Sequence, residues 1–234
     1  MFICIIVVVD IMAPGPKMLK YNDISQFQVD NLSRESNGRV FRIAPGRLEE
    51  TKASVIICPN STNFKPLTEG ATGAVMKKSG REPFEEVEDG IRQQMQQGHI
   101  TKHSVVPAGA VIWSGPGKLC NNSVESIAHV IYPTREDARS DPVIRSETFS
   151  LESMAIALDA ALFGADRDGK TSVALPLLGA GHAGLGKDEA FETIFKIATN
   201  FLDKRAKSIT EVILVVLPDK FNLILAYLND ATTN

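Results

Sequence analysis

A glycine-rich segment at residues 179–186, which reads GAGHAGLG, limits the possible folds of this chain. It follows the apolar run 173–178 and precedes an amphipathic stretch that begins near Lys187. This order is typical of a strand, a tight turn and a helix. Glycines tolerate positive φ and carry no side chain, so successive backbone N–H groups can converge on one anion beside the helix N-terminus. The segment therefore predicts either a phosphate loop or only a tight turn, but not a Walker loop, which ends in Gly-Lys-Ser/Thr.

The composition favours one large globular domain or one domain with an extension. The chain has 234 residues, a hydrophobic fraction of 44% and a formal net charge of -3. This charge gives no electrostatic footprint for nucleic acid or for an anionic membrane. The three cysteines Cys4, Cys58 and Cys120 are far apart, which indicates neither a disulfide scaffold nor a zinc site. We therefore expect a cytoplasmic protein without a metal or a cofactor.

The N-terminal region requires a separate interpretation. Residues 2–9 are continuously apolar, but no Lys or Arg precedes them and Asp10 interrupts the run, which is too short to span a bilayer. We interpret the run as a strand or an extension, with a signal peptide as the alternative. Residues 12–37 are polar and contain Pro14, Gly15 and Pro16, which indicates a linker or arm. The predicted organisation is an extension at 1–37 and a domain at 38–234.

Strand-like and helix-like segments alternate along the domain. The predicted strands are 39–44, 53–58, 105–113, 126–132, 172–177 and 211–217, and the predicted helices are 74–79, 82–97, 151–164, 187–202 and 221–228. This alternation predicts an α/β fold of three layers, with a central mixed, mostly parallel sheet covered on both faces.

Three segments are expected to meet at the carboxyl edge of this sheet, where such folds bind ligands. Pro59 ends the strand 53–58 and leaves Asn60 at that edge. A second small-residue loop, 67–73, precedes the helix at Ala74, and the third segment is 179–184. Their convergence predicts a ligand that contains phosphate.

Four segments resemble the macro domain family, which binds ADP-ribose and related nucleotides. Residues 55–61 (VIICPNS) resemble the strand that ends in Asn-Ala-Ala-Asn, with Asn60 on the second asparagine, and 70–75 (GATGAV) resemble its Gly-Val-Asp-Gly-Ala-Ile loop. Residues 126–130 (SIAHV) resemble the strand with Ile-His-x-Val. Residues 173–184 are similar to the second phosphate loop, especially in its viral form. The resemblance extends from about residue 40 to 228 and supports the three-layer α/β/α macro-type fold.

The resemblance implies roles for named residues. Asn60 would hydrogen-bond the distal ribose, the backbone of 70–73 would face that ribose and a phosphate, and 179–184 would surround the diphosphate. The adenine would lie between the segment near 46–48 and the end of the last strand near Leu217. The implied ligand-binding residues are Arg47, Leu48, Asn60, Gly70, Ala71, Thr72, Gly73, Gly179, Ala180, Gly181, His182, Ala183, Gly184 and Pro218.

Several positions depart from the family pattern. Arg47 aligns with the acidic residue that contacts the adenine amino group, and Ile57 replaces the first asparagine of the Asn-Ala-Ala-Asn motif. Thr72 stands where many hydrolytic members carry aspartate, and Ala183 where many place an aromatic residue. Leu217 or Pro218 also takes a place that is often aromatic.

Other side chains have functional groups that could take part in binding or catalysis. His182 could act as an acid or base or stack on a ribose. Lys77 and Lys78 could offer an amine but are expected on a helix surface. His129 and Cys58 are expected in the core, and Trp113 in the core or in loop packing, with nucleic-acid stacking as the alternative. His99 and His103 have no metal-ligand spacing. No catalytic residue is assigned.

The function predicted from the sequence is binding of ADP-ribose or a related nucleotide diphosphate, free or on an ADP-ribosylated protein. One alternative is an enzyme that removes ADP-ribose from proteins or hydrolyses an ADP-ribose phosphate ester. A second is a degenerate macro fold that contacts protein or RNA. We expect a monomer with no membrane contact, and nucleic acid is not the expected partner.

Overall fold

The computed structural model describes residues 33–62, 64, 69–96, 106, 108–132, 151–181 and 184–233. The predictions for the run 2–9 and for His99, His103, His182 and Ala183 lie outside the described residues.

The described residues form a seven-stranded sheet. Its strands are β1 (Ser33–Ser36), β2 (Arg39–Pro45), β3 (Val55–Asn60), β4 (Val111–Ser114), β5 (Ser126–Ile131), β6 (Ser172–Pro176) and β7 (Glu211–Val216). The spatial order is β1-β2-β7-β6-β3-β5-β4. The five inner strands are parallel, whereas β1 and β4 pair antiparallel with β2 and β5. The predicted mixed, mostly parallel sheet is therefore confirmed.

Helices cover both faces of this sheet. They are α1 (Gly70–Ser79), α2 (Glu82–Gln96), α3 (Leu151–Arg167), α4 (Lys187–Lys204) and α5 (Pro218–Thr233). Alternate residues of β3 point to opposite faces. Val55 and Ile57 belong to the core that α3 and α4 cover, and Ile56 and Cys58 belong to the core under α1 and α2. This arrangement confirms the three-layer α/β/α architecture.

Two local predictions at the start of the domain were wrong. Residues 33–36 of the predicted arm form β1, and Arg34 donates to both carboxylate oxygens of Asp203 in α4, at 2.7 and 3.2 Å. Pairing with β2 decides this strand, because its own residues do not alternate. Residues 70–73 of the loop predicted at 67–73 form the first turn of α1. This turn is stabilised by burial of Thr72, whose hydroxyl donates to the carbonyl oxygen of Pro59.

Two further boundaries differ because of packing. The helix predicted to end near Gly164 continues to Arg167 as α3. A Cβ atom at position 164 would lie 2.7 Å from Cζ2 of Trp113, so this glycine makes room for the indole ring and does not end the helix. β4 begins only at Val111, and the turn predicted at 115–117 leads into a 3-10 helix, Gly117–Asn122.

Candidate functional site

A cleft of about 380 Å³ opens at the carboxyl ends of the five parallel strands. Each strand contributes a lining residue at or just beyond its end, namely Gly46, Asn60, Tyr132, Leu177 and Leu217. Small-molecule sites have volumes of roughly 300–1,000 Å³ and favour this edge of α/β sheets. The cleft therefore has the position and size of a ligand site.

One wall of the cleft is the first turn of α1. Gly70, Ala71 and Thr72 line it. Intrahelical bonding begins when the N–H of Gly73 donates to the carbonyl of Glu69 at 3.2 Å. The preceding N–H groups have no acceptor inside the helix, and the Glu69 side chain does not cap them. This wall therefore presents backbone donors at the positive end of a helix dipole.

A second wall is the glycine loop that follows β6. Gly179 has φ of +81°, and a Cβ atom there would lie 2.3 Å from Cδ1 of Leu185, so only glycine fits. The carbonyl of Gly179 accepts from the N–H of Leu185 at 3.0 Å, and that of Gly181 accepts from Gly184 at 2.9 Å. The N–H of Gly179 donates to the hydroxyl of Tyr132 at 3.2 Å. These contacts fix the loop against β5 and the start of α4.

Asn60 is held from beneath by a buried histidine. Its Nδ2 lies 3.0 Å from the carbonyl oxygen of Cys58 and 3.1 Å from Nδ1 of His129. Nε2 of His129 lies 2.8 Å from Oγ of Ser114. Burial lowers the pKa of His129 to about 3, so the imidazole is neutral at physiological pH. The prediction of a satisfied core histidine is confirmed.

Cys58 and Thr72, which lie near Asn60, are both buried. Burial raises the pKa of the Cys58 thiol to about 12, which excludes it as a nucleophile at neutral pH. Cys58 is thus a core residue, as predicted. The Thr72 hydroxyl, which donates to Pro59, is 1% exposed. Lys77 and Lys78 are exposed on α1 and do not line the cleft, in agreement with the expected surface position.

The segment after β2 joins β7 to form an apolar end of the cleft. Gly46 donates its N–H to the carbonyl of Val216 at 2.9 Å, and Leu48 is buried beside it. Two charged side chains flank this end. Arg47 and Glu49 form an ion pair of 3.6 Å, but the arginine side chain is 61% exposed and the glutamate only 13%. Glu49 therefore offers a shielded carboxylate at the edge of an apolar slot.

Most of the residues implied by the resemblance lie around this one cleft. The lining includes Arg47, Leu48, Asn60, Gly70, Ala71, Thr72, Gly179, Ala180 and Gly181. Three others do not line it. Gly73 is buried with its N–H bonded to Glu69, Gly184 has its N–H bonded to Gly181, and Pro218 starts α5 while Leu217 lines the cleft instead.

Five further polar or charged residues line the cleft although the sequence did not single them out: Glu49, Glu69, Tyr132, Lys187 and Lys220. Tyr132 directly follows β5, so the rule that ligand sites collect residues beyond parallel strands could have found it. Lys187 and Lys220 lie in the first turns of α4 and α5. Among the described residues, the lining thus includes three cationic residues, Arg47, Lys187 and Lys220, and two acidic residues, Glu49 and Glu69. The excess of one positive charge favours an anionic ligand.

Within the described ranges, no three His, Cys, Asp or Glu side chains are grouped so that they could hold a metal ion. In the same part of the chain, no helix combines the length and apolar character needed to cross a membrane.

Comparison with solved structures identifies the fold. A macrodomain of Oceanobacillus iheyensis, solved with ADP, superposes with a TM-score of 0.66 at 19% identity, over 85% of this chain and 96% of the other. The same macrodomain, solved with MES, gives a TM-score of 0.66 at 18% identity, over 85% of this chain and 94% of the other. A Trypanosoma brucei macrodomain in complex with ADP-ribose gives 0.59 at 11% identity, over 82% of this chain and 67% of the other. At such identities the likeness establishes the macrodomain fold alone.

Comparison of sequences adds less. No family model matches this chain. An uncharacterized protein of Pyrococcus abyssi is 27% identical over 190 residues, which are 77% of this chain and 92% of that protein.

Proposed function

We propose that this chain, which has the macrodomain fold, binds ADP-ribose in the cleft at the carboxyl ends of its parallel strands. The observation that carries the proposal is the convergence of Asn60, the first turn of α1 and the glycine loop on one cleft of about 380 Å³. The ligand is either free ADP-ribose or the same group attached to a protein. The bacterial and trypanosome macrodomains of the same fold were solved with ADP and with ADP-ribose, which supports the choice of ligand.

The diphosphate would lie between the two backbone walls. Gly70, Ala71 and Thr72 supply N–H groups without an intrahelical acceptor, and the helix dipole favours negative charge at the same place. Lys187 adds a cationic side chain to the lining. Binding through backbone donors is consistent with a chain whose net charge is -3.

The distal ribose would lie against Asn60. Both amide hydrogens of its side chain are used, by Cys58 and by His129. Its Oδ1 remains to accept a hydrogen bond, and a ribose hydroxyl is a suitable donor.

The base would occupy the apolar end of the cleft, where Leu48, Val215 and Ile224 are among the lining residues. Arg47 cannot accept a hydrogen bond. The shielded carboxylate of Glu49, two residues later, can accept one from the exocyclic amino group of adenine. Glu49 would therefore replace the acid that is missing at position 47.

Hydrolysis of a bound ADP-ribose ester is the second candidate function. The Thr72 hydroxyl is committed to Pro59, so it does not supply a base. The observation that favours the second candidate is that Glu69, an acidic residue, lines the cleft immediately before α1. Release of the label from mono-ADP-ribosylated protein by the native chain, but not by Glu69→Gln, would support hydrolysis. A label that stays intact with the native chain would reject it.

Isothermal titration calorimetry with ADP-ribose tests the main proposal. We expect micromolar binding by the native chain and at least about tenfold weaker binding by Asn60→Ala, because a buried hydrogen-bond partner is lost. Asn121→Ala is the matched control, since Asn121 is exposed and does not line the cleft. No heat with folded native protein would contradict the proposal and would favour a role in protein or RNA contacts.

A further inference from the structure

We propose that His129 is a positioning residue for the ligand, because its Nδ1 atom holds the Asn60 carboxamide with Oδ1 directed to the cleft. The inference rests on the proposed function, since it concerns the distal ribose of bound ADP-ribose. It assigns a binding role to a side chain that has no surface of its own, as His129 is fully buried.

The orientation of the Asn60 amide follows from its partners. A backbone carbonyl only accepts, so the atom 3.0 Å from the oxygen of Cys58 must be the amide nitrogen. The second hydrogen of that nitrogen is directed to Nδ1 of His129, 3.1 Å away. Two acceptors therefore fix the nitrogen in the interior. The oxygen of the same planar group must lie on the other side, and Asn60 lines the cleft.

The tautomer of His129 follows from the same network. Because Nδ1 faces a donor, it carries the lone pair, and the hydrogen of the neutral ring is on Nε2. Nε2 then donates to Oγ of Ser114 at 2.8 Å, and the Ser114 hydroxyl donates to the carbonyl of Gly115 at 3.2 Å. In this hydrogen-bond network, which runs from Asn60 through His129 and Ser114 to Gly115, each donor therefore faces an acceptor.

The ring is also fixed by packing. Phe84 and Phe64 contact it edge-on, with centroid distances of 5.1 and 5.8 Å. The network links the end of β3 to β5 and β4, three adjacent strands of the sheet. Asn60 therefore meets the ligand with its rotamer already fixed, which reduces the entropic cost of binding.

Two ligands separate positioning from general stabilisation. ADP lacks the distal ribose that Asn60 would contact, whereas ADP-ribose carries it. We expect His129→Leu to weaken ADP-ribose binding about fivefold to tenfold, as for one lost hydrogen bond. ADP binding should change less than about twofold, because its contacts lie elsewhere in the cleft. An equal loss for both ligands, or no loss for either, would overturn the inference.

A conservative variant should restore part of the ADP-ribose affinity that His129→Leu loses. In His129→Asn the side-chain oxygen can take the place of Nδ1 as acceptor, so ADP-ribose affinity should exceed that of His129→Leu. If His129→Leu does not fold, Ser114→Ala replaces it. Loss of the Nε2 acceptor favours the other tautomer, which directs a donor at Asn60. Ser114→Ala should then lose ADP-ribose affinity selectively, as expected for His129→Leu. An unchanged ratio of ADP-ribose affinity to ADP affinity would contradict the inference.

A measurement without ligand distinguishes failure of this inference from failure of the proposed function. Long-range ¹H–¹⁵N correlation spectra report the tautomer of each histidine. His129 should be neutral with its hydrogen on Nε2, and this signal should be absent from His129→Asn. A hydrogen on Nδ1 would overturn the inference even if ADP-ribose binds. The Nε2–H form in a chain that binds neither ligand would reject the proposed function and, with it, the binding role of His129.

Discussion

The backbone N–H of Gly179 donates a hydrogen bond to the hydroxyl of Tyr132 over 3.2 Å, which joins the glycine loop to the end of β5. Tyr132 is buried and lines the cleft. Burial raises the pKa of its hydroxyl, so the group stays neutral at physiological pH. The shape of the loop therefore depends on a side chain 47 residues earlier in the sequence.

Replacement of the Tyr132 hydroxyl tests whether the glycine loop depends on it. Tyr132→Phe keeps the ring but leaves the Gly179 N–H without its acceptor. We expect a loss of about 1–3 kcal/mol in the free energy of unfolding, measured by urea denaturation. ADP-ribose affinity should also fall, because the loop is less well fixed. Unchanged stability together with unchanged affinity would show that the hydrogen bond between Gly179 and Tyr132 does not stabilise the loop.

Two glycines of the loop should respond differently to alanine. At Gly179 the φ of +81° and the approach of Leu185 both oppose a Cβ atom, so Gly179→Ala should destabilise the fold by about 2 kcal/mol or more. At Gly181 a Cβ atom would meet no described residue within 4 Å, so Gly181→Ala is the matched control and should melt within a few degrees of the native chain. Thermal melts of the two variants compare them directly. Equal melting temperatures would contradict the assigned geometry.

His129 should make stability depend on pH. Its pKa is lowered by burial to about 3 in the folded state, below its ordinary value of 6.5, so the unfolded state binds more protons between these values. The contribution is therefore complete above pH 6.5 and is lost as the pH falls towards 3. The slope should approach about 1.4 kcal/mol per pH unit. Urea denaturation of the native chain and His129→Asn between pH 6.5 and 5 measures it.

The comparison of the native chain with His129→Asn isolates the titration of the His129 ring. The partners of the His129 ring, Asn60, Ser114, Phe64 and Phe84, are all neutral side chains. Carboxylates titrate mainly below the pH range measured. Identical slopes for the two proteins would mean that the pKa of His129 is the same in the folded and unfolded states, which would contradict the shift caused by burial.

Asp166 should stabilise the turn between α4 and β7. Its Oδ1 accepts from the backbone N–H groups of Lys207, Ser208 and Ile209 at 2.7–2.9 Å. Burial alone would raise its pKa, but these donors hold the pKa below its ordinary value of 3.8. Its contribution is thus complete above that value and is lost as the pH falls through the folded-state pKa.

Asp166→Ala should lower the free energy of unfolding by about 3 kcal/mol at pH 7, because three donors lose a charged acceptor. Asp168→Ala is the control, since Asp168 is half-exposed and its side chain pairs with the neighbouring, half-exposed Arg167. Urea denaturation of both variants compares them. Similar losses for the two would contradict the role of Asp166.

Glu49 should select the base of the ligand. The hypoxanthine analogue of ADP-ribose carries an oxygen in place of the amino group and would meet the carboxylate with an acceptor. We expect the native chain to bind ADP-ribose at least about tenfold more tightly than this analogue. Glu49→Gln should reduce the preference, because its amide can also donate. Arg47→Ala should preserve it, and calorimetry with both ligands measures all three proteins. A native chain without preference would remove Glu49 from base recognition.

The sequence predicted well those elements whose own residues carry the signal. The continuous apolar runs of β3 and β7 and the 3.6-residue period of α3 and α4 indicate their class directly. The local signal was weaker where a partner decides the conformation. β1 has no alternation and depends on β2, and the first turn of α1 depends on the burial of Thr72 against Pro59.

The residues of the candidate site also form two groups, those with a local sequence signal and those placed by contacts with distant residues. Asn60 was predicted at the edge because Pro59 was expected to end the strand, but β3 continues through Pro59 and Asn60 is its last residue. The glycine segments were predicted because glycine conformation is a local signal, and the order of the strands brings these residues to one cleft. Tyr132, Glu49 and Lys187 reach that cleft from different elements, and His129 acts beneath it through a contact 69 residues distant from Asn60. The sequence by itself determined the layers and the edge of the sheet at which the cleft lies, because hydrophobic periodicity and glycine conformation are local properties. Only the tertiary structure decided which residues line the cleft and how their side chains are held, because burial and hydrogen-bond partners depend on residues that are distant in the chain.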